Sequence, residues 1–375
     1  MRVLVVNAGS SSLKMNVLED GTILAKHDMA ADRDGFDQDE LAAFLNDTEV
    51  DAVGHRVVHG GTDFTEPTVL DDDVLRSLRR LSDLAPLHQP KSLAGIDAVA
   101  AARPGLPTVA CFDTAFHATL PEVAYTYAIP AEWRSRWNVR RFGFHGLSHA
   151  YASRRAAEIV GQPAGTLRVV VCHLGAGASL CAVADGRSVD TTMGFTPLEG
   201  LVMATRSGSV DPGLVLWLQE HGGLSAAHVG AALEHESGLL ALGGDADMRA
   251  LLARAERGEA AANLAIDVYV HRLVAGVAAM TATLGGLDVL VFTGGVGENA
   301  SAVRASAARK LAHLGVELVG DLNEKARGDA DISSPDSSVG TLVVAAREDL
   351  EIERGVHSVL GTQHTRAPRG GVVRP

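Results

Sequence analysis

Three short glycine-rich segments carry residue types that bind phosphate, and each follows a run of apolar residues. They are NAGSSSLK (7–14), HLGAG (173–177) and GGVGEN (294–299). Glycine lets the backbone approach a ligand closely, and exposed amides, hydroxyls and a lysine can hold phosphate oxygens. The first segment is not a Walker A loop, because the GK[ST] ending is absent. Each could be an ordinary tight turn, but three at the ends of strands, where α/β folds bind ligands, favour phosphate binding.

Two arginines stand in surroundings that favour anion binding. Arg56 lies in GHRVVHGG beside a glycine pair, and Arg206 lies among small residues in a long loop-like segment, 193–212. The planar guanidinium suits a carboxylate or a phosphate better than lysine does. A structural salt bridge is the alternative for Arg56, and a weak surface salt bridge for Arg206.

One acid and two histidines also occupy positions that active sites use. Asp113 directly follows the apolar run 109–112, where a metal-binding or catalytic acid often lies, but so does a turn-forming aspartate. His145 lies in RFGFHG between aromatic residues, where it can hydrogen-bond developing charge, although a lone histidine is more often a satisfied core residue. His88 lies between prolines in PLHQP, where capping or packing is the more usual role.

The elements that would position these residues follow the same plan twice, about half a chain apart. Residues 2–18 predict a strand, a tight turn and a second strand, and residues 168–183 predict the same order. Polar Asn7 and His173 end the first strand of each plan. We interpret the similarity as a duplicated domain, with two unrelated hairpins as the alternative.

Helical patterns lie between and after these strands. A capping serine opens a predicted helix over 148–160, and alanine-rich spacing predicts a long, mostly buried helix over 259–284. Residues 301–311 predict a helix after the strand 289–292 and its glycine turn. A strand, a glycine turn and a helix in succession indicate an α/β fold.

Composition limits the classes of partner. The 375 residues suggest two or three domains, and the net charge of −13 without a basic cluster argues against nucleic acid or anionic membrane, though not against an anionic substrate. No stretch approaches the roughly 18 uninterrupted apolar residues of a membrane span, and the first residues lack a signal-peptide pattern. Three cysteines in or beside apolar runs predict buried thiols in a reducing compartment. We expect a cytoplasmic protein.

Taken together, the segments resemble the motif set of the acetate and propionate kinases, a family within the superfamily of sugar kinases, actin and Hsp70. From about residue 2 to residue 355 the motifs occur in family order: NAGSSSLK, GHRVVHGG, PLHQP, FDTAFH, FGFHG, MGFTPLEGL, TRSGSVDP and GGVGEN. The resemblance implies an α/β fold of two duplicated ribonuclease-H-like (actin-like ATPase) domains with an interdomain active-site cleft. It also implies a homodimer.

The activity implied by the resemblance is reversible phosphoryl transfer from ATP to acetate, which gives ADP and acetyl phosphate. Transfer would be direct and in line, with Mg²⁺ as the metal and Mn²⁺ as an alternative. A propionate kinase is the first rival, and a non-enzymatic ATP-binding protein of the actin and Hsp70 type is the second. Val58 favours acetate, because a smaller residue there would open the pocket for a longer acid.

The resemblance further implies domain limits and residue roles. The N-terminal domain would be 1–117 with 351–362, the nucleotide-binding and dimerisation domain 118–350, and a disordered tail 363–375. Catalysis is expected of Asp113, His145, Arg206 and Arg56, and metal binding of Asn7 and Glu348. The acetate site would comprise Arg56, Val58, Leu87, His88, Phe144 and Pro197. The nucleotide site would comprise Ser10, Ser12, Lys14, His173, Leu174, Gly175, Ala176, Gly177, Asp247, Met248, Arg249, Gly295, Val296, Gly297, Glu298 and Asn299.

One segment departs from the family pattern. The second glycine turn usually reads HLGNGSS, whereas this chain has Ala176 and Ala178 at the asparagine and first serine positions. Each lost hydrogen bond typically costs about 0.5–1.5 kcal/mol. We therefore expect weaker ATP binding or slower turnover than in a typical member, with activity retained.

Overall fold

The chain folds into two compact units, seen in a computed structural model that describes residues 1–8, 12–30, 36–85 and 89–364. The first unit comprises Met1–Ala115 with Glu348–Pro375, and the second comprises Phe116–Arg347. The resemblance implies boundaries after residues 117 and 350 instead. The second of these would cut a helix that runs over Glu348–His364. A helix packs as one rod, so the unit boundary falls at its first residue.

The first unit is a six-stranded sheet with helices on both faces. Its strands are β1 Val3–Ala8, β2 Ser12–Glu19, β3 Thr22–Ala30, β4 Ala52–Val57, β5 Thr68–Val69 and β6 Thr108–Phe112. Its helices are α1 Gln38–Asn46, α2 Asp72–Arg80, α3 Gln89–Ala102 and, at the end of the chain, α15 Glu348–His364. The strand order is β3-β2-β1-β4-β6-β5. Strands β1, β4 and β6 run parallel, so their carboxyl ends meet at one edge.

The second unit is also a six-stranded sheet with helices packed against it. Its strands are β7 Arg168–Leu174, β8 Ala178–Ala184, β9 Arg187–Thr191, β10 Val289–Thr293, β11 Ala330–Asp331 and β12 Gly340–Val343. Its helices are α4 Glu122–Tyr125, α5 Ala131–Trp137, α6 Gly146–Val160, α7 Pro212–Glu220, α8 Ala226–His235, α9 Gly238–Gly243, α10 Met248–Glu256, α11 Ala260–Leu284, α12 Gly294–Asn299, α13 Ser301–Leu311 and α14 Gly320–Lys325. Single 3₁₀ turns occupy Leu81–Leu84, Ala115–Thr119, Ala164–Thr166 and Ala312–Leu314.

The two sheets have the same topology, which confirms the duplication. The second order, read as β9-β8-β7-β10-β12-β11, matches the first strand for strand and in the direction of every pairing. Both β2–β3 and β8–β9 are joined by an Asp-Gly turn with positive φ at both residues, Asp20-Gly21 and Asp185-Gly186. Such φ values belong to the type I′ turn, whose twist matches that of a hairpin. Even the register shift recurs, between Val17 and Leu18 and between Ala182 and Val183.

Opposite faces of the first sheet carry different helices. On β4, Val53 belongs to the apolar cluster that includes Ala98 and Val99 of α3. The next residue, Gly54, lies directly beneath α15, where an added Cβ would approach Ile352 Cγ2 to 2.5 Å. Successive strand residues point to opposite faces, so α3 and α15 sandwich the sheet.

Helix α11 is the long helix that the sequence predicts. Its 25 residues have a mean hydropathy of 1.4 over the most apolar window, which by length and composition would suffice to cross a membrane. Asp267, His271 and Arg272 interrupt the apolar run. The helix packs against β7, β8 and β9 and against α9 and α13. These are contacts with the sheet and with neighbouring helices, but only eight of the 25 residues are buried, so the prediction of a mostly buried helix is wrong. One such helix is weak evidence for a membrane span.

The predicted strands and helices are present, with one change after β10. Residues 294–299 form the short helix α12 instead of a glycine turn. Gly294 has a φ of +79°, and a Cβ there would lie 2.9 Å from the Leu174 backbone, so glycine is required where β10 turns into α12. The disordered tail predicted over 363–375 falls mainly outside the described residues, and residues 363 and 364 continue α15.

Candidate active site

Four predicted residues of the first unit form one cluster at the carboxyl edge of its sheet. Asn7 lies in β1 and Arg56 in β4, Asp113 directly follows β6, and Glu348 begins α15. Arg56 Nε donates to Asp113 Oδ1 over 3.0 Å, and Arg56 Nη2 donates to Asp113 Oδ2 over 2.5 Å. Arg56 Nη1 donates to Asn7 Oδ1 over 3.2 Å. Asn7 Nδ2 in turn donates to Glu348 Oε2 over 3.4 Å, and that oxygen lies 3.7 Å from Arg56 Nε.

This cluster carries an excess of negative charge. Burial opposes the charge on Arg56, but the carboxylates of Asp113 and Glu348 outweigh burial and raise the pKa of the guanidinium. The two carboxylates exceed the one guanidinium by a single charge. Asp113 is 1% exposed, so this charge is not dispersed by water. A cation would therefore be stabilised beside Glu348.

The oxygen donors of the cluster suit a hard divalent cation. Mg²⁺ is commonly bound through one or two carboxylates together with phosphate oxygens of a substrate. Glu348 and Asn7 supply a carboxylate and an amide oxygen. Within the described residues no group of three or more His, Cys, Asp or Glu side chains could hold a metal by itself. The residues therefore fit a metal that shares its coordination with phosphate.

The other first-unit predictions fall partly outside the described residues. Lys14 is exposed and lies opposite Asn7 in the β1–β2 ladder, so both point to the same face. Ser12 opens β2, and Val58 is 6% exposed. Three predicted residues lie outside the described part of the chain: Ser10, Leu87 and His88.

In the second unit, His145 and Arg206 lie against the same glycine. A Cβ built on Gly177 would be 3.2 Å from His145 Nε2 and 3.4 Å from Arg206 Nη1. The His145 and His173 rings lie 4.3 Å apart between centroids. His145 precedes α6 with a φ of 58°, a left-handed conformation that few non-glycine residues adopt.

Helix α8 holds Arg206 in place. Arg206 Nε donates to Glu234 Oε2 over 2.7 Å, and the two side chains are 19% and 15% exposed. Thr205 Oγ1 donates to the carbonyl of Glu234, and Ser207 N donates to that of Leu233. The segment 193–212, predicted to be loop-like, contains no strand and enters α7 only at Pro212. Glu234 was missed by sequence reasoning, because it lies 28 residues from the arginine that it binds.

A cavity of about 570 Å³ opens beside the HLGAG turn. This volume is within the roughly 300–1,000 Å³ of small-molecule sites. Eight predicted nucleotide residues line it, namely Gly175, Ala176, Asp247, Met248, Arg249, Gly295, Val296 and Asn299. Four lining residues were not predicted, namely Ala204, Leu239, Ala246 and Ala300. They are small or apolar residues without a motif, so the sequence offers no signal for them.

The remaining second-unit predictions are not among the residues that line the cavity. Leu174 and Gly297 pack against each other, since a Cβ at Gly297 would be 3.7 Å from Leu174 Cβ. Glu298 accepts a hydrogen bond from Ala346 N. His173 Nδ1 is bonded to Ser148 Oγ at 2.7 Å. Phe144 is 1% exposed, and Pro197 is buried in the segment after β9.

The protein has the features of a phosphotransferase. These are a duplicated ribonuclease-H-like fold, a nucleotide-sized cavity, and cationic and hydrogen-bonding groups beside the cavity. The acetokinase family model matches residues 37–354. The chain belongs to this family, whose members are phosphotransferases with a carboxyl group as acceptor. Membership implies ATP or ADP as a substrate and a divalent metal.

Similar proteins extend over nearly the whole chain. An acetate kinase of Streptomyces avermitilis is 44% identical over 97% of this chain and 98% of its own length. A crystal structure of Porphyromonas gingivalis acetate kinase has a TM-score of 0.88 at 36% identity and covers 96% of this chain and 99% of its own. A propionate kinase from Francisella tularensis also has a TM-score of 0.88, at 37% identity, and covers 94% of this chain and 98% of its own.

Proposed function

We propose that the protein is an acetate kinase, which catalyses the reversible reaction ATP + acetate = ADP + acetyl phosphate. The observation that carries the proposal is the position of His145 and Arg206 against Gly177. The neighbouring residues Gly175 and Ala176 line the nucleotide-sized cavity. A terminal phosphate of a nucleotide in that cavity would come near both side chains.

Arg206 and His145 would stabilise the phosphoryl group during transfer. Phosphoryl transfer needs positioning and charge neutralisation more than covalent chemistry, and the charge spreads over the equatorial oxygens. The guanidinium supplies a permanent positive charge, and the imidazole supplies a hydrogen-bond donor. Direct in-line transfer to the acetate oxygen needs no covalent enzyme intermediate.

Arg56 would bind the carboxylate of acetate. Carboxylic acids are ionised at neutral pH, so the attacking oxygen needs no general base. Asp113 accepts two hydrogen bonds from Arg56. We therefore assign Asp113 to orienting the guanidinium. An Asp113→Asn variant should keep its pH profile and show weaker metal dependence, and loss of a titrating group from the profile would contradict the assignment.

Glu348 and Asn7 would hold Mg²⁺, with Mn²⁺ as an alternative. A bound divalent ion would neutralise charge on the nucleotide phosphates. Ser10, Ser12 and Lys14 belong to the glycine-rich segment after β1 and would contact phosphate oxygens. Replacing Glu348 by Gln should raise the metal concentration needed for half-maximal rate more than it changes the KM for acetate.

A propionate kinase is the second candidate, and the similarity to the Francisella tularensis enzyme supports it. Val58 is buried, and we expect it to restrict the acid site to a methyl group. One methylene changes discrimination by only about 1–3 kcal/mol, so propionate should be a weak substrate. The ratio of kcat/KM for acetate and propionate decides between the two candidates.

We also propose that the protein is a cytoplasmic homodimer. Helix α7 has no buried residue, and Leu214, Leu216 and Trp217 on it are 46%, 58% and 54% exposed. Exposed apolar surface of this kind marks an interface. Light scattering should give twice the chain mass, and Trp217→Glu should shift the mass toward the monomer.

A hydroxamate assay with ATP, Mg²⁺ and acetate tests the function. Acyl phosphates react with hydroxylamine, so an acetate kinase gives a coloured product that depends on both substrates. A non-enzymatic ATP-binding protein of the actin and Hsp70 type would give none.

A further inference from the structure

Ser179 bridges two histidines behind the proposed phosphoryl site. Its hydroxyl lies 3.0 Å from His145 Nδ1 and 2.7 Å from His149 Nε2. Ser179 and His149 are both 0% exposed. The site described above assigns neither residue a role.

The single hydroxyl proton limits how the two rings can be protonated. Ser179 can donate to only one of the two nitrogens, so the other nitrogen must carry a proton and donate to Ser179 Oγ. In the first arrangement Ser179 donates to His145 Nδ1, and His149 donates from Nε2. In the second arrangement both directions are reversed. Both nitrogens could donate to Ser179 Oγ only if the hydroxyl proton had another acceptor, and among the described residues this buried hydroxyl has none.

The two arrangements differ in the protonation of the other ring nitrogen of His149, Nδ1. His149 Nδ1 is buried and has no hydrogen-bond partner among the described residues. Burial, together with the neighbouring His117 and His173, lowers the pKa of His149 well below its usual value, so the ring is neutral. In the first arrangement Nδ1 is a bare acceptor, and in the second it is a buried N–H without an acceptor. Orphaned buried N–H groups are the rarer defect, so the first arrangement is favoured.

We propose that Ser179 and His149 are positioning residues that keep His145 neutral, with its proton on Nε2. That atom is the one that lies against Gly177 beside Arg206. His145 then presents an N–H donor to the transferring phosphoryl group without first gaining a proton. The role at the phosphoryl group rests on the proposed function, whereas the protonation pattern does not.

The surroundings of His145 act in the same direction. Arg206, which carries a permanent positive charge, lies against the same glycine. The His173 ring is tilted by 33° to that of His145, with 4.3 Å between the ring centroids. Neighbouring positive charge disfavours an imidazolium. Protonating His145 at Nδ1 would also reverse the Ser179 hydroxyl and force a proton onto the unpartnered Nδ1 of His149.

Nitrogen NMR of ¹⁵N-histidine-labelled protein tests the protonation pattern directly. Imidazole ¹⁵N shifts distinguish protonated from bare nitrogens, and His145→Gln and His149→Gln spectra assign the signals. In the unaltered protein at pH 7 we expect a bare Nδ1 and a protonated Nε2 for both His145 and His149. A protonated Nδ1 on His145 would overturn the proposal, whatever the protein's activity.

Ser179→Ala then tests the role in catalysis. Removing partners that orient a functional histidine typically costs about 10–100-fold. We expect a loss of that size in kcat, with both KM values within about twofold, and a mixture of His145 tautomers by NMR. Ser179→Thr, which keeps a hydroxyl, should restore the single tautomer and most of kcat.

Ser188→Ala is the matched control. Ser188 is likewise buried and bonded to a histidine, His117, through Nδ1 at 2.8 Å. It does not contact His145, so the His145 signals should not change. Unchanged kcat and an unchanged His145 tautomer in Ser179→Ala would contradict the proposal.

Discussion

The carboxylate of Glu234 holds the Nε end of the Arg206 guanidinium. Glu234 accepts from Nε, while Nη1 lies toward Gly177 and His145. This arrangement fixes the direction of the side chain, because the planar guanidinium cannot rotate without breaking the bond. The chemistry proposed for Arg206 therefore depends on a residue of α8 as well as on the arginine itself.

Arg206→Ala should lower kcat by at least two decades. An arginine that stabilises the transferring phosphoryl group contributes about 10³–10⁵ in rate. The KM for acetate should change only modestly, because Arg56 is assigned to the carboxylate. Steady-state kinetics check this, with circular dichroism to confirm folding. Near-normal turnover would remove Arg206 from the mechanism.

Ala176→Asn should strengthen nucleotide use. Ala176 is exposed at the cavity wall, so an asparagine amide has room to reach a nucleotide phosphate. One regained hydrogen bond of about 0.5–1.5 kcal/mol corresponds to about a 2- to 12-fold lower KM for ATP or higher kcat. Ala176→Leu, which adds bulk without a polar group, is the control. If the asparagine variant gains in neither constant, Ala176 does not limit activity.

The site residues at strand ends could be predicted from the sequence. The residues that orient another side chain could not. Asn7, Arg56 and Asp113 stand in family motifs, and the structure brings them and Glu348 within hydrogen-bond or ion-pair distance. Ser179 lies in an apolar strand and His149 in a helix, where a buried polar residue has many roles. Their pairing depends on how β8 packs beside α6, and local sequence does not encode that.

At the scale of elements, the contact of α15 with β4 positions Glu348. Gly54 permits this contact, because any side chain there would meet Ile352 and Val356. Small-to-large changes in packed interiors cost about 1–3 kcal/mol. Helix α15 would have to move, and Glu348 would move with it.

Gly54→Ala should therefore lower both stability and metal affinity. We expect a loss of about 1–3 kcal/mol in the free energy of unfolding and a higher metal concentration for half-maximal rate. Urea unfolding and a metal titration measure the two effects. Gly165→Ala is the control, because a Cβ at Gly165 meets nothing within 4 Å. If the two variants are equally stable, α15 does not pack closely against β4.

Strands and helices were predicted correctly where the apolar residues follow a single clear periodicity. The alternation of buried strands and the alanine-rich period of α11 are strong local signals. Helix α12 was predicted as a turn because its sequence, GGVGEN, contains three glycines, which disfavour helix. Packing of Gly294 and Gly297 against β7 and β10 overrides that preference. The edge strands β5 and β11 have only two residues each, too few to show a period.

At the scale of the whole molecule, buried histidines make stability depend on pH. Burial lowers the pKa of His55 to about 3 and that of His117 to about 4. As the pH falls below 6.5, the unfolded chain binds protons that the folded chain does not. Stability is therefore complete above pH 6.5 and decreases as the pH falls toward the folded pKa values.

The urea concentration at the midpoint of unfolding should decrease as the pH is lowered from 6.5 to 4.5. A histidine with a folded pKa of about 3 costs roughly 3 kcal/mol by pH 4.5. His55→Leu should flatten the dependence, since His55 Nε2 has no hydrogen-bond partner to lose among the described residues. His313→Gln is the control at an exposed position, and this variant should show the same dependence of stability on pH as the unaltered protein. Identical pH slopes in all three proteins would refute the assignment to buried histidine.

The most direct measurement is phosphorus NMR of the purified protein with ATP, Mg²⁺ and acetate. We expect acetyl phosphate and ADP to appear in equal amounts while inorganic phosphate stays low. The Arg206→Ala variant should form neither product on the same time scale. Consumption of ATP to inorganic phosphate without acetyl phosphate, or no consumption of ATP at all, would contradict the proposed function.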